Sequence, residues 1–117
     1  MMLIKFDDTK GNGMTLGDHI EGKFVEYDIE YRVHASRRMF QRDIVEDDVE
    51  LILRKGSIIE KYAEDFPLPS LLLNGRASTD RPLHVVVAVN SFERKFIIIT
   101  AYEPDSAKWT EGFSRRL

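Results

Sequence analysis

Two runs of β-branched and apolar residues, "PLHVVVAVN" (82–90) and "KFIIITAY" (95–102), stand four residues apart across "SFER". Such runs favour a pleated backbone, and so short a connection folds them into an antiparallel hairpin. Their near-continuous apolarity predicts central strands covered on both faces, or on one face and by an oligomer contact. The entrance is different in kind: Arg81, Pro82 and His84 put a cation, a ring-locked backbone and an imidazole at the mouth of the first run. What they meet depends on register. If Asn90 faces Phe96, His84 faces Tyr102. If Asn90 faces Lys95, His84 faces Ala101 and Tyr102 turns away, because one step of register exchanges the two faces of a strand.

Upstream, a period of two from Lys23 through Phe24, Tyr27, Ile29, Tyr31 and Val33 predicts a half-buried strand. In "HASRRMFQR" the period becomes helical: Ala35 and Met39 share one side, His34 and Arg38 another. The next stretch, "DIVEDDVELILRKG", predicts a second helix with an apolar stripe of Val45, Val49, Ile52 and Leu53. Glu46, Asp47 and Asp48 suit its positive end and Gly56 its C′ position, while Val45 stands where a capping serine would be expected. "SIIEKY" reads as a strand, Pro67 and Pro69 shape a rim, "LLLNG" starts another strand, and "EPDSAKWTEGFSRRL" closes the chain as a packed tail. "MLIKF" reads as a short strand and "DDTKGNGMTLGD" as a loop, so residues 1–22 are taken as a mobile N-terminal extension and 23–117 as one domain. The order predicts an α+β domain with helices on one face of an antiparallel sheet.

With 117 residues and 43% hydrophobic content the chain can build one ordinary core. The absence of cysteine excludes disulfides and thiolate metal sites. His19, His34 and His84 form no HxxxH or HExxH pair, and no GxSxG, GxxxxGK[ST] or GxGxxG occurs, so neither a metal nor a cofactor is expected. No apolar run approaches the roughly 18 residues of a membrane span, and no secretory pattern opens the chain, which points to a soluble, cytoplasmic protein. A formal charge of −3 argues against coating nucleic acid by bulk electrostatics. The acidity is uneven, however: residues 1–30 hold seven acids against three lysines, while 31–117 hold 14 cations and 13 acids.

The groups left for chemistry are His34, Arg37, Arg38 and Arg42 on or near the first helix, and Tyr62, Arg81, His84 and Tyr102 on strands. Metal-free RNA cleavage needs such groups: a base for the 2′-hydroxyl, a cation for the phosphorane and an acid for the leaving oxygen. Each also has a plain structural reading. His84 can be a satisfied histidine in a sheet, Arg81 a partner of Asp80 or Glu103, and Tyr102 an ordinary strand aromatic. His34, Arg38 and Arg42 can be a solvated helix side facing Glu46 or Asp47, and Trp109 core or edge packing.

Taken together, "HASRRMFQRDI", "KYAEDFPLPSLLLNG", "RPLHVVVAV" and "ITAYEPDSAKW" resemble a bacterial and archaeal domain-of-unknown-function family. Its pattern is approximately HA-x-x-R-M-x-x-R-x-I, Y-x-x-x-x-P-x-P-S, RPLHV and TAY-x-P-x-x-x-x-W, matched from about Val33 to Arg116. That family looks like a branch of the RelE/ParE-like toxins, similar to proteins encoded beside YgiT-type zinc-finger antitoxins, as MqsR-type toxins are. The resemblance implies a RelE-like fold, with two N-terminal helices on a mainly antiparallel sheet of about four to five strands.

The resemblance also implies the toxin of a toxin–antitoxin system, a metal-independent endoribonuclease acting on mRNA and held by an antitoxin with a zinc-finger or DNA-binding domain. Its pattern falls on His34, Arg38, Arg42, Tyr62, Arg81, His84 and Tyr102. The roles expected are His84 as general base or acid, His34 as second proton carrier and Tyr102 as positioning donor. Arg81 and Arg38 would hold phosphate, with Arg42 and Tyr62 completing the RNA-binding or anion-binding set. The alternatives are a non-catalytic module of the same fold that binds a protein or a small anion, and a homodimer paired through the hairpin surface or a sheet edge.

Overall fold

A computed structural model describes residues 13–117, so the strand expected at "MLIKF" lies outside the described residues. The elements are α1 (Leu16–His19), β1 (Asp28–Tyr31), α2 (Val33–Gln41), α3 (Glu46–Lys55), β2 (Ser57–Tyr62), β3 (Ser70–Arg76), β4 (Pro82–Asn90) and β5 (Lys95–Tyr102). The strands form one sheet in the order β1-β5-β4-β3-β2. The α+β plan holds with one correction: the sheet is mixed, because the edge strand β1 runs parallel to β5 while the other pairings are antiparallel. Among the described residues no helix is long and apolar enough to cross a membrane.

Two expectations fail locally. The strand predicted from Lys23 begins only at Asp28, after a 3-10 turn over Phe24–Glu26. Phe24 and Tyr27 both pack on Phe96, with centroids 5.1 and 4.4 Å away, and residues three apart reach one target from a helical turn and not from a strand. Val33 then opens α2 instead of ending the strand. In the stretch read as a loop, α1 is nucleated by a capping box: Asp18 N–H donates to Thr15 Oγ1 at 3.2 Å and Thr15 N–H to Asp18 Oδ2 at 3.0 Å. From there Leu16 is fully buried in the core, and Ile58 N–H bonds the Met14 carbonyl at 2.8 Å.

The two long helices are terminated by different devices. α2 closes in a Schellman motif, with Ile44 N–H on Met39 O at 2.8 Å, Asp43 N–H on Phe40 O at 3.2 Å, and Asp43 in the left-handed region at φ 58°. α3 starts at Val45 with no side-chain cap, as expected. Asp48 in its first turn instead accepts from Ser78 N and Oγ at 3.1 and 3.0 Å, tying the β3–β4 turn to the helix. Gly56, expected at C′, is the C-cap itself, and its φ of −70° and ψ of 161° are extended. A glycine is needed there for space, since a Cβ would stand 2.6 Å from Ile52 O and 3.0 Å from Asn74 O.

The sheet has two unlike faces. Leu71, Leu73, Leu83, Val85, Val87, Phe96, Ile98 and Ala101 join Ala35, Met39, Val49, Ile52 and Leu53 of the helices in one core cluster. Leu72, His84, Ala88 and Ile97 are buried outside that cluster, on the other face. The hairpin adopts both candidate registers. Near its turn Asn90 faces Lys95 and Val87 faces Ile98; then Val86 faces Thr100, Val85 faces Ala101 and His84 faces Tyr102. Ile99 is the extra residue, a β-bulge that exchanges the faces of everything beyond it. Ala101 thereby enters the core, and Tyr102 joins His84 on the opposite face.

Gly56→Ala is expected to cost roughly 1–3 kcal/mol, because a methyl group is forced against two carbonyl oxygens. Urea unfolding measures this, and an unchanged midpoint would show that the joint between α3 and β2 has room to yield.

Candidate functional site

The residues after β5 fold back over the face that the helices leave bare. They make a small hairpin, with Thr110 N–H on Arg115 O at 2.8 Å, Leu117 N–H on Lys108 O at 2.9 Å, and Gly112 and Phe113 at positive φ at its turn. Asn74 Nδ2 donates to Gly112 O at 3.0 Å, and Arg116 grips Glu60 on β2 through Nε at 2.7 Å and Nη2 at 3.0 Å. Trp109 lies edge-on to His84 with centroids 4.6 Å apart, and the Arg116 guanidinium stacks over its indole at 4.6 Å. The tail is packed, as expected, and Trp109 is its anchor.

Between this tail, the end of β5 and the C-terminus of α2 opens a cleft of about 540 Å³. Arg42, Arg81, Lys108 and Arg116 supply four cations to its lining; Glu103 and Asp105 supply two carboxylates, and Tyr102 and Trp109 two aromatic rings. Arg42 reaches the cleft from the C-cap of α2, where its Nη1 donates to Ala101 O at 2.9 Å, just past the bulge.

Arg81 has a structural duty of its own. Its Nη2 donates to Arg42 O at 2.8 Å and its Nη1 to Asp43 O at 2.9 Å, carbonyls at the C-terminal end of α2, while Nε meets Glu103 Oε1 at 2.8 Å. A cation at a helix C-terminus meets the negative end of the dipole and satisfies carbonyls the helix leaves unpaired. Of the five N–H donors of the guanidinium, three are thus committed to the fold.

His84 is 0% exposed. Its Nε2 lies 2.8 Å from Phe113 O, an atom that only accepts, so Nε2 carries the proton and Nδ1 accepts from the Tyr102 hydroxyl at 3.4 Å. Burial pushes the imidazole below its ordinary pKa, against a smaller upward pull from the Phe113 carbonyl. Burial likewise raises the Tyr102 phenol. His84 is therefore a neutral histidine beneath the cleft floor, and Tyr102 is the group through which it meets the cleft.

Tyr62 stands on β2, where its hydroxyl bonds Glu60, and burial with that carboxylate pushes its pKa up to about 12. It connects to the cleft only through Glu60 and Arg116. The Arg116 bond, in turn, holds the Glu60 carboxyl below its usual range. His34 and Arg38 are exposed on α2 and are not among the cleft-lining side chains. Of the seven expected residues, then, Arg42, Arg81 and Tyr102 line one cleft, His84 lies under it, Tyr62 is one residue removed, and His34 and Arg38 lie outside. The sequence reading missed Lys108 and Arg116, although "SRRL" and the tryptophan in the tail marked that segment as more than an end.

These features define an α+β domain with a cation-lined cleft closed on one side by its own C-terminal hairpin. The chain belongs to the domain of unknown function family DUF4258, whose model matches residues 31–103. No curated protein and no solved structure matches it.

A buried neutral histidine leaves a signature in pH. The folded-state pKa of His84 lies below the ordinary 6.5, so as pH falls from about 6.5 the unfolded chain takes up a proton that the folded chain refuses. The stability contributed is full above 6.5 and is lost as pH falls toward the folded-state pKa. Denaturant titrations across that window should show stability dropping, and His84→Gln should flatten part of the drop. An imidazole nitrogen NMR titration should report the Nε2–H tautomer and a midpoint under 6.5.

Proposed function

We propose that the cleft binds the phosphodiester backbone of RNA and that the protein is a toxin-type, metal-independent endoribonuclease. The observation that carries this reading is the convergence of Arg42, Arg81, Lys108 and Arg116 with the Tyr102 hydroxyl on one cleft of about 540 Å³. Four cations around one cleft suit a phosphate, and their value rises as a crowded phosphorane gathers charge. In the step proposed, the 2′-oxygen of RNA bonds to the adjacent phosphorus and the bond from phosphorus to the 5′-oxygen breaks. A carboxylate of Glu103 or Asp105 takes the 2′ proton, and the Lys108 ammonium gives one to the leaving 5′-oxygen. The Tyr102 hydroxyl, whose own proton is given to His84 Nδ1, accepts from a ribose hydroxyl and so orients the sugar, and His84 acts as a positioning residue that fixes Tyr102. The antitoxin of such a system would be a small protein, with a zinc-finger or DNA-binding domain, that covers this cleft.

A second reading, a non-catalytic module that holds an anion or a protein in the same cleft, is favoured by one observation. Both ring nitrogens of His84 are occupied, and the imidazole is sealed from the cleft by Trp109 and Tyr102.

Incubating the purified protein with single-stranded RNA in EDTA separates the two. The ribonuclease reading expects fragments ending in a 2′,3′-cyclic phosphate, with Lys108→Ala lowering kcat by at least about 100-fold. Binding without cleavage would select the module, and absence of RNA binding would remove the ribonuclease altogether.

A further inference from the structure

Helix α2 carries a surface that the cleft does not use. From Arg32 to Arg42 there are four arginines and no acid. Among the described residues the side chains of Arg32, Arg37 and Arg38 make no hydrogen bond or ion pair, whereas Arg42 is tied into the cleft. The buried residues Ala35 and Met39 fix the orientation of the helix, and with it the side that faces outward. There Phe40 is 87% exposed, a large aromatic ring presented to solvent with arginines beside it.

These side chains follow one another around the helix. At 3.6 residues per turn, Arg38 is offset from Arg42 by about 40°, Arg37 from Arg38 by about 100°, and Phe40 from Arg37 by about 60°. The order Arg42, Arg38, Arg37, Phe40 runs continuously from the cleft mouth over the crest of α2. Unpaired cations that track a backbone, ending at an exposed aromatic face on which a base can lie, are the two parts of a single-strand binding path.

We infer that α2 is the exit track for single-stranded RNA leaving the cleft, with Arg38 and Arg37 on successive phosphates and Phe40 as the platform for one unstacked base. The inference rests on the RNA reading of the cleft and adds the form of the substrate. A duplex keeps its bases stacked and paired, and so offers nothing to Phe40. It also gives the arginine-rich helix a purpose that neither the cleft nor the core supplies.

Fluorescence anisotropy with a labelled RNA decanucleotide and with an RNA hairpin stem of equal charge tests it, using chains whose thermal midpoints are first shown to match the parent. The single strand should bind more tightly than the stem. Arg37→Ala with Arg38→Ala should reduce the slope of log affinity against log salt by about 1.4, or 0.7 for each phosphate contact removed. Phe40→Ala should weaken the single strand about tenfold, and Phe40→Trp should restore it. If the parent chain binds RNA but these variants keep its affinity and salt slope, or if the stem binds as well as the strand, the track is overturned while the cleft reading stands. If the parent chain binds no RNA, the cleft reading fails first and the track falls with it.

Discussion

The one extra residue at Ile99 decides what this protein can be. Up to Ile98, β5 alternates in step with β4 and sends Phe96 and Ile98 into the core. Without the bulge the next inward residues would be Thr100 and Tyr102, a hydroxyl and a phenol thrust among Leu, Val and Ile with no partners, at a cost of some kcal/mol each. With it, Ala101 fills the core and both polar groups are delivered to the other face. There Tyr102 meets His84, and the backbone beyond the bulge offers the Ala101 carbonyl to Arg42. The cleft floor is thus the direct product of a local break in strand pairing, in keeping with the frequency of bulges where a side chain must be re-aimed.

Two cations then hold the walls in place. Arg42 spans from the end of α2 to β5, and Arg81 spans from the start of β4 back to the end of α2, so the helix terminus is pinned from two strands. The opposite wall is held by Arg116 on Glu60 and by Trp109 on His84. Arginine suits both duties because its fork meets two acceptors at once, which a lysine ammonium does from a less defined geometry.

Much of this was legible in the sequence. The α3 stripe of Val49, Ile52 and Leu53, the breaks at Pro67 and Pro69 and the "SFER" hairpin follow from period and turn chemistry, whereas Val45, expected in the stripe, stands 55% exposed at the N-cap. The register ambiguity was itself informative, since both alternatives are realised on either side of one residue; a bulge leaves no mark in a run as uniform as "FIIIT". The strand expected from Lys23 failed because Phe24 and Tyr27 answer to a tertiary target, Phe96, which alternation cannot foresee. Arg81 and His84 were correctly marked as unusual for a strand entrance. What they do depends on a helix terminus and a tail carbonyl far away in the chain, and such partners are not written into local pattern.

The family match ends at residue 103, and Asp105, Lys108, Trp109 and Arg116 all come after it. One wall of the cleft therefore lies within the matched residues and the other is the C-terminal hairpin, seated on the sheet through Asn74, Glu60 and His84. A change of length or charge in that hairpin would reach the buried His84, which bonds Phe113 O and packs against Trp109.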